Sequence, residues 1–200
     1  MKLLLIGNSK SGKSTMSDYL NKKYGFKIYS LGNYVKYFTH DIYKIFNKTD
    51  NIPIPDIENF FNLQSKDKYR KCFQLFGTEL CQTWFGKEVW CEQLYKDLIR
   101  FNNLNKYISI IIDDCRFKHE YDYFIKLGFI PIKINRNVEI CDHISETELE
   151  NIPYEYLIEN NNSIEEYYNN IENLINELLT EIKIELKPLE LNSTLNSDHF

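Results

Sequence analysis

One stretch near the start of the chain decides the fold: Gly7-Asn8-Ser9-Lys10-Ser11-Gly12-Lys13-Ser14. It satisfies the phosphate-loop (P-loop) pattern G-x-x-x-x-G-K-[S/T] at every fixed position. The apolar residues 3–6 predict a short buried strand before it. Residues 14–24 have helical apolar spacing, and Gly25 predicts the end of that helix. The sequence therefore predicts a phosphate-binding loop between a strand and a helix.

Each fixed residue of this loop has a chemical role. Gly7 and Gly12 allow backbone conformations that are closed to residues with a Cβ, so the N–H groups of the loop can converge on phosphate oxygens. Lys13 is expected to reach the β- and γ-phosphates of ATP, and Ser14 to offer its hydroxyl to Mg²⁺. The residues expected to bind the nucleotide are Gly7, Asn8, Ser9, Lys10, Ser11, Gly12, Lys13, Ser14 and Thr15.

Further along the chain, segments that predict strands alternate with segments that predict helices. Strands are predicted at residues 27–31, 108–113 and 130–134, and the three consecutive isoleucines 110–112 are typical of a strand covered on both faces. Helices are predicted at residues 35–46, 69–76 with an end near Gly77, 89–101, 121–127 and 164–178, the last opened by a capping box of Ser163 and Glu166. The alternation predicts a three-layer α/β/α fold around a short parallel sheet of about four to five strands.

The domain organisation follows from the same patterns. Residues 1–180 are predicted to form one P-loop kinase domain. In residues 181–200, Ile182, Ile184 and Leu186 alternate with charged residues, which predicts a C-terminal edge strand or a flexible tail.

Composition and charge exclude several classes of protein. Hydrophobic residues are 43% and charged residues 26% of the 200 residues, which is typical of a globular domain. The net charge of −5 argues against a nucleic-acid partner, and the apolar runs are too short for a membrane span or a secretory signal. The five cysteines form no CxxC pair, and nothing at zinc spacing completes a site with Cys141 and His143. Scattered thiols in a chain without a secretory signal predict reduced cysteines and a cytoplasmic location.

Two aspartates end the strongest predicted strand, where open α/β sheets place their ligands. Asp113 and Asp114 are candidates to hold Mg²⁺, directly or through water. Arg116 and Arg136 follow the ends of the two late strands, where cations stabilise the charge that develops during phosphoryl transfer.

Four segments resemble motifs of the viral and bacteriophage-type deoxynucleoside monophosphate kinases. Asp114-Cys115-Arg116-Phe117-Lys118-His119-Glu120 resembles their D-x-R-F-x-x-E segment. Gln74-Leu75-Phe76-Gly77-Thr78-Glu79, followed by Trp90, is similar to their Q-x-x-G-T-E segment. His143-Ile144-Ser145-Glu146 with Leu149 is similar to their H-x-S-E-x-x-L stretch, and Asn161-Asn162-Ser163-Ile164-Glu165-Glu166 resembles the start of their last helix. With the P-loop, these segments occur in family order over residues 1–179.

The resemblance implies transfer of the γ-phosphoryl group of ATP, with Mg²⁺, to a deoxynucleoside monophosphate (dNMP), giving ADP and the diphosphate. It makes Asp114 more important than Asp113 for Mg²⁺, and it implies that Arg116 holds the phosphate of the acceptor. The expected catalytic residues are Lys13, Asp114, Arg116 and Arg136; the expected acceptor residues are Lys36, Gln74, Thr78, Glu79, Arg116 and Phe117; the expected metal ligands are Ser14, Asp113 and Asp114.

The acceptor and the assembly stay open at this stage. The family commonly has an arginine where this chain has Gln82, so the base and sugar of the acceptor are not fixed. Another small P-loop kinase, such as one acting on phosphomevalonate, shares the D-x-R element, although the Q-x-x-G-T-E segment favours a nucleotide. A P-loop switch that binds nucleotide without phosphorylating anything is the third hypothesis, and homodimerisation also stays open.

Overall fold

The computed structural model describes residues 1–46, 69, 71–104, 108–137, 149 and 151–182. Within them, five parallel strands form one sheet in the order β2-β3-β1-β4-β5. The strands are β1 (Lys2–Ile6), β2 (Lys27–Tyr29), β3 (Ile110–Cys115), β4 (Ile130–Asn135) and β5 (Tyr156–Glu159). The helices are α1 (Lys13–Tyr24), α2 (Leu31–Phe46), α3 (Val89–Leu104), α4 (Lys118–Lys126) and α5 (Ile164–Ile182). A π-helix (Leu75–Gln82) and one short α-helical turn (Thr83–Phe85) lie between α2 and α3.

The core explains why β1 is almost entirely apolar. β1 lies in the middle of the sheet, paired with β3 on one side and β4 on the other. Successive side chains of a strand point to opposite faces of the sheet. Leu3 and Leu5 accordingly pack with α1 and α5, whereas Leu4 packs with residues of α2, α3 and α4. The sheet is thus covered on both faces, which confirms the predicted three-layer α/β/α fold and its strand number.

Several element boundaries in the structure differ from the predicted ones. The strand predicted at residues 27–31 ends at Tyr29, because Leu31 already begins α2. The strand predicted at 108–113 runs instead from Ile110 to Cys115 and therefore contains both aspartates. The helix predicted from residue 121 begins three residues earlier, at Lys118.

The prediction that a helix ends near Gly77 is wrong. The helical path continues through the π-helix and the turn after it to Gly86, whose φ of 96° ends it. Gly77 has a different reason to be glycine: a Cβ there would lie 2.7 Å from Cγ1 of Val35 on α2. Trp90 also donates its indole N–H to the carbonyl oxygen of Gly77 at 2.8 Å. The glycine allows two helices to approach closely and is not a stop signal.

The C-terminal part of the domain contains a strand, β5, that was not predicted, and a helix cap that has only one of its two predicted hydrogen bonds. β5 was not predicted, since only Ile158 of its four residues is buried. The N–H of Glu166 donates to Ser163 Oγ at 3.2 Å, as a capping box requires, but the Glu166 carboxylate accepts from Asn162. α5 continues to Ile182, so residues 181 and 182 of the predicted edge strand or tail are helical, and the remainder of that segment lies outside the described residues. In the described part of the chain, no helix combines the length and the apolar character that a membrane span needs.

Candidate active site

The P-loop joins β1 to α1 at the carboxyl end of the sheet. Gly7 and Gly12 have φ values of 152° and 113°, and a Cβ on either would lie within 2.6 Å of a neighbouring atom. Gly12 is the N-cap of α1 and has no side chain to occupy the first N–H groups of the helix, so they are available to an anion. The loop therefore has the backbone that the sequence motif predicts.

Lys13 folds back over the loop that precedes it. Its ammonium donates to the carbonyl oxygens of Gly7 at 2.5 Å and Asn8 at 2.8 Å. Ser14, the next residue of α1, is exposed at the start of the helix. A charged amine over the loop and a hydroxyl beside it are the groups that a bound polyphosphate and its metal ion would meet.

The two aspartates at the end of β3 have different surroundings. Asp114 accepts the N–H groups of Leu31 and Gly32, one on each carboxylate oxygen and both at 2.7 Å, so it caps the N-terminus of α2. Asp113 accepts from the hydroxyl of Ser30 at 2.5 Å. Burial and the negative charge of Asp114 raise the pKa of Asp113 to about 6, against the opposing effects of Ser30 and the Lys13 ammonium. The Lys13 ammonium is therefore near enough to favour the charged form of Asp113, which links this aspartate to the P-loop.

The segment after β3 is held by a buried carboxyl group. Glu120 accepts the N–H groups of Arg116 at 2.7 Å and Phe117 at 3.1 Å on one oxygen, from the first turn of α4. Burial raises the pKa of Glu120 to about 8, although those two N–H groups favour the charged form. The guanidinium of Arg116 is exposed while its backbone is fixed, and Phe117 stacks on His119 with ring centroids 5.4 Å apart.

The other predicted acceptor residues lie on α2 and at the π-helix. Gln74 is half-buried immediately before the π-helix, and Thr78 and Glu79 are exposed on it. Lys36, on α2, donates to Asn33 Oδ1 at 3.2 Å. The rings of Phe38 and Phe76, 6.4 Å apart, join α2 to the π-helix, as does the contact at Gly77. Asp114 caps α2 two residues before Arg116, so a chain of contacts runs from the end of β3 through α2 to the π-helix. π-Helices are rare and are frequently found at functional sites.

Arg136 lies on the P-loop side of the crevice. It follows β4, and its Nη1 is 3.5 Å from the carbonyl oxygen of Lys10, to which it donates. The ammonium of Lys133, on β4, lies 5.2 Å from the centre of the Tyr154 ring. Lys118 pairs with Asp122 on α4. Arg136 is therefore the late cation that contacts the P-loop.

Three residues of this site were not predicted. Ser30 contacts Asp113, and Asn160 and Tyr167 contact the P-loop backbone from β5 and α5. Ser30 stands at the end of β2, and that position could have identified it. Asn160 adjoins the Asn-Asn segment already noted, and Tyr167 has only the appearance of a core residue.

Some predicted features lie outside this arrangement. His143, Ser145 and Glu146 fall outside the described residues, as does Cys141, whereas Leu149 is buried beside Ile6 and Ile152. Among the residues that the structure describes, no cluster of three His, Cys, Asp or Glu side chains is arranged to hold a metal ion. The hydroxyl of Ser14 and the carboxylate of Asp113 nevertheless suit Mg²⁺, which prefers few protein ligands together with phosphate oxygens and water.

Comparison with known proteins agrees with this geometry. A family model described as deoxynucleotide monophosphate kinase matches residues 53–171, more than half of the chain. A protein of Acanthamoeba polyphaga mimivirus named "Putative deoxynucleotide monophosphate kinase" is 29% identical over 185 residues, which cover 84% of this chain and 92% of that protein. A solved dephospho-CoA kinase from Campylobacter jejuni has a TM-score of 0.50 at 16% identity, covering 90% of this chain and 98% of the other, and shares the fold. The chain belongs to the deoxynucleotide monophosphate kinase family.

Proposed function

We propose that this kinase transfers the γ-phosphoryl group of ATP to a dNMP, giving ADP and a deoxynucleoside diphosphate. The observation that carries the proposal is the division of the crevice by the aspartate pair of β3. The Lys13 ammonium of the P-loop favours the charged form of Asp113, and Asp114 caps α2, which packs against the π-helix that carries Thr78 and Glu79. A donor side and an acceptor side thus meet at adjacent residues.

The roles follow from where each charge lies. Bound Mg²⁺–ATP would supply the phosphoryl group and neutralise part of its charge. Lys13 and Arg136 would bind phosphate oxygens from the P-loop side, because both contact its backbone. Asp113 would hold the metal ion or its water together with Ser14, so we assign it the role that the family resemblance gave to Asp114.

The acceptor side needs a cation more than it needs a base. The phosphate of a dNMP is already ionised at neutral pH, so no side chain has to remove a proton from it. Arg116 is exposed on a backbone fixed by Glu120, and a guanidinium can bind a phosphate through two parallel N–H···O bonds. Gln74, Thr78 and Glu79 would supply polar groups for the base or sugar.

The proposal is tested by turnover. ADP release is measured with each dNMP in turn and with phosphomevalonate, and the phosphorylated product is identified by ³¹P NMR. Lys13→Ala serves as the control and should lower kcat by about a hundredfold or more, since it removes an oriented charge from the transferring group. ATP binding without ADP release with any acceptor would support a nucleotide switch instead, and turnover with phosphomevalonate alone would change the substrate class.

A further inference from the structure

Two buried side chains outside the P-loop donate to consecutive carbonyl groups within it. Asn160, which follows β5, donates from Nδ2 to the carbonyl oxygen of Ser11 at 2.7 Å. Tyr167, on α5, donates its hydroxyl to the carbonyl oxygen of Gly12 at 3.0 Å. Asn160 is 8% exposed and Tyr167 is 1% exposed. Two donors thus reach adjacent peptide groups from the same buried side of the loop.

Asn160 is itself rigidly placed. Its backbone N–H donates to the carbonyl oxygen of Asn135 at 2.8 Å, which ties it to the end of β4. Burial raises the pKa of Tyr167, so the hydroxyl keeps its proton and remains a donor at any working pH. The carbonyl oxygen of Gly12 also accepts the N–H of Met16, the first hydrogen bond of α1.

The planarity of the peptide bond transmits these contacts to the ligand side. In a trans peptide, the C=O of one residue and the N–H of the next point in opposite directions. A hydrogen bond that holds the Ser11 carbonyl toward Asn160 therefore holds the Gly12 N–H toward the open side of the loop. In the same way, Tyr167 orients the N–H of Lys13.

Gly12 makes this restraint necessary. Its φ of 113° is available to glycine, and without a Cβ the flanking peptide planes have a wider range of orientations than at other residues. A Cβ at Gly12 would lie 2.4 Å from Asn160 Nδ2 and 3.2 Å from the Tyr167 hydroxyl. The residue that gives the loop its shape is thus also the residue whose missing side chain admits the two donors.

We infer that Asn160 and Tyr167 are positioning residues that orient the N–H groups of Gly12 and Lys13 for phosphate before a ligand arrives. The inference rests on the proposed function only in requiring that phosphate binds in the P-loop. It adds a role for the β5–α5 connection that is independent of the acceptor.

Binding of pyrophosphate and ADP, measured by calorimetry, tests the inference without turnover. Tyr167→Phe removes one hydroxyl, and Asn160→Ala removes the other donor. Each should weaken both probes about five- to tenfold, the effect of one hydrogen bond that organises a charged site. Tyr168→Phe is the matched control, because Tyr168 stacks on Tyr19 through its ring, which phenylalanine keeps.

The outcomes separate the two levels of the argument. If the wild-type protein binds neither probe, the proposed function fails. If it binds both and the Tyr167→Phe and Asn160→Ala variants bind as tightly, the positioning role is overturned. Thermal unfolding of every variant is measured in parallel. If the Tyr168→Phe control loses as much affinity as the two test variants for the same fall in melting temperature, Asn160 and Tyr167 have a structural role only. If one variant fails to fold, the other still decides the question.

Discussion

Replacing Asp113 by asparagine should stabilise the fold while impairing the enzyme. Burial and Asp114 raise the pKa of Asp113 from 3.8 to about 6, so its charged form is held at a cost in the folded protein. Below pH 3.8 the carboxyl is protonated in both the folded and the unfolded chain, and the cost is absent. Stability should therefore fall as pH rises from about 3.8 to about 6, and it should stay lower above that range.

The magnitude follows from the same two pKa values. At about 1.36 kcal/mol per pH unit, their difference corresponds to about 3 kcal/mol. Asp113 is partly exposed, and solvent screening reduces this to about 1–2 kcal/mol. Asparagine avoids the charge and can still accept from Ser30. At pH 8 the Asp113→Asn variant should consequently melt about 3–6 °C above the wild type, a difference that disappears near pH 4.

The assay is thermal unfolding from pH 4 to pH 8, with Asp18→Asn as the control because Asp18 is exposed on α1. Asp114→Asn should behave in the opposite way. It leaves one oxygen for two N–H groups at the start of α2 and should lower stability by about 1–2 kcal/mol. The reasoning is refuted if Asp113→Asn destabilises the protein at pH 8, or if its difference from wild type is independent of pH. Full activity of this variant across a Mg²⁺ titration would refute the assignment of Asp113 to the metal.

Three further predictions concern the acceptor side. Arg116→Lys should raise the KM for dNMP and lower kcat while ATP affinity stays within a few-fold of wild type, because an ammonium cannot make the paired bonds of a guanidinium. Arg100→Lys is the control, because Arg100 is exposed on α3. A collapse of ATP affinity alone would place Arg116 on the donor side. Glu120→Gln should keep an acceptor for the two backbone N–H groups but remove the Glu120 contribution to the fall in stability as pH rises from about 4.5 to about 8, so the stability difference between variant and wild type should grow over that range. Equal pH profiles would contradict this. Gly77→Ala should destabilise the protein by about 1–3 kcal/mol through the contact with Val35, and Val35→Ala should restore part of the loss in the double variant.

The elements that could be predicted are those with strong local signals. The P-loop was predicted from its motif, and β3 was predicted from its run of three isoleucines. β5 could not be predicted, because an edge strand with one buried residue has no periodic pattern. Gly77 was misread because sequence alone cannot distinguish a glycine that ends a helix from one that admits a neighbouring helix.

The functional residues divide in a similar way. The motif located Lys13 and Ser14, and the strand end located Asp113 and Asp114. Sequence could not tell that Asp113 accepts from Ser30 whereas Asp114 caps α2, because both contacts join residues far apart in the chain. The P-loop contact of Tyr167 depends on packing between residues far apart in the chain.

The central position of β1 has a consequence for synthesis on the ribosome. β1 is made before any other strand, yet its partners are β3 and β4, which begin at Ile110 and Ile130. During translation, its run of leucines must remain without a sheet while more than half of the chain is added. The hydrogen bonds from Asn160 and Tyr167 to the P-loop form later still, because both residues follow β4 in the chain. Nucleotide should therefore protect a ribosome-attached chain from proteolysis only after α5 has left the exit tunnel.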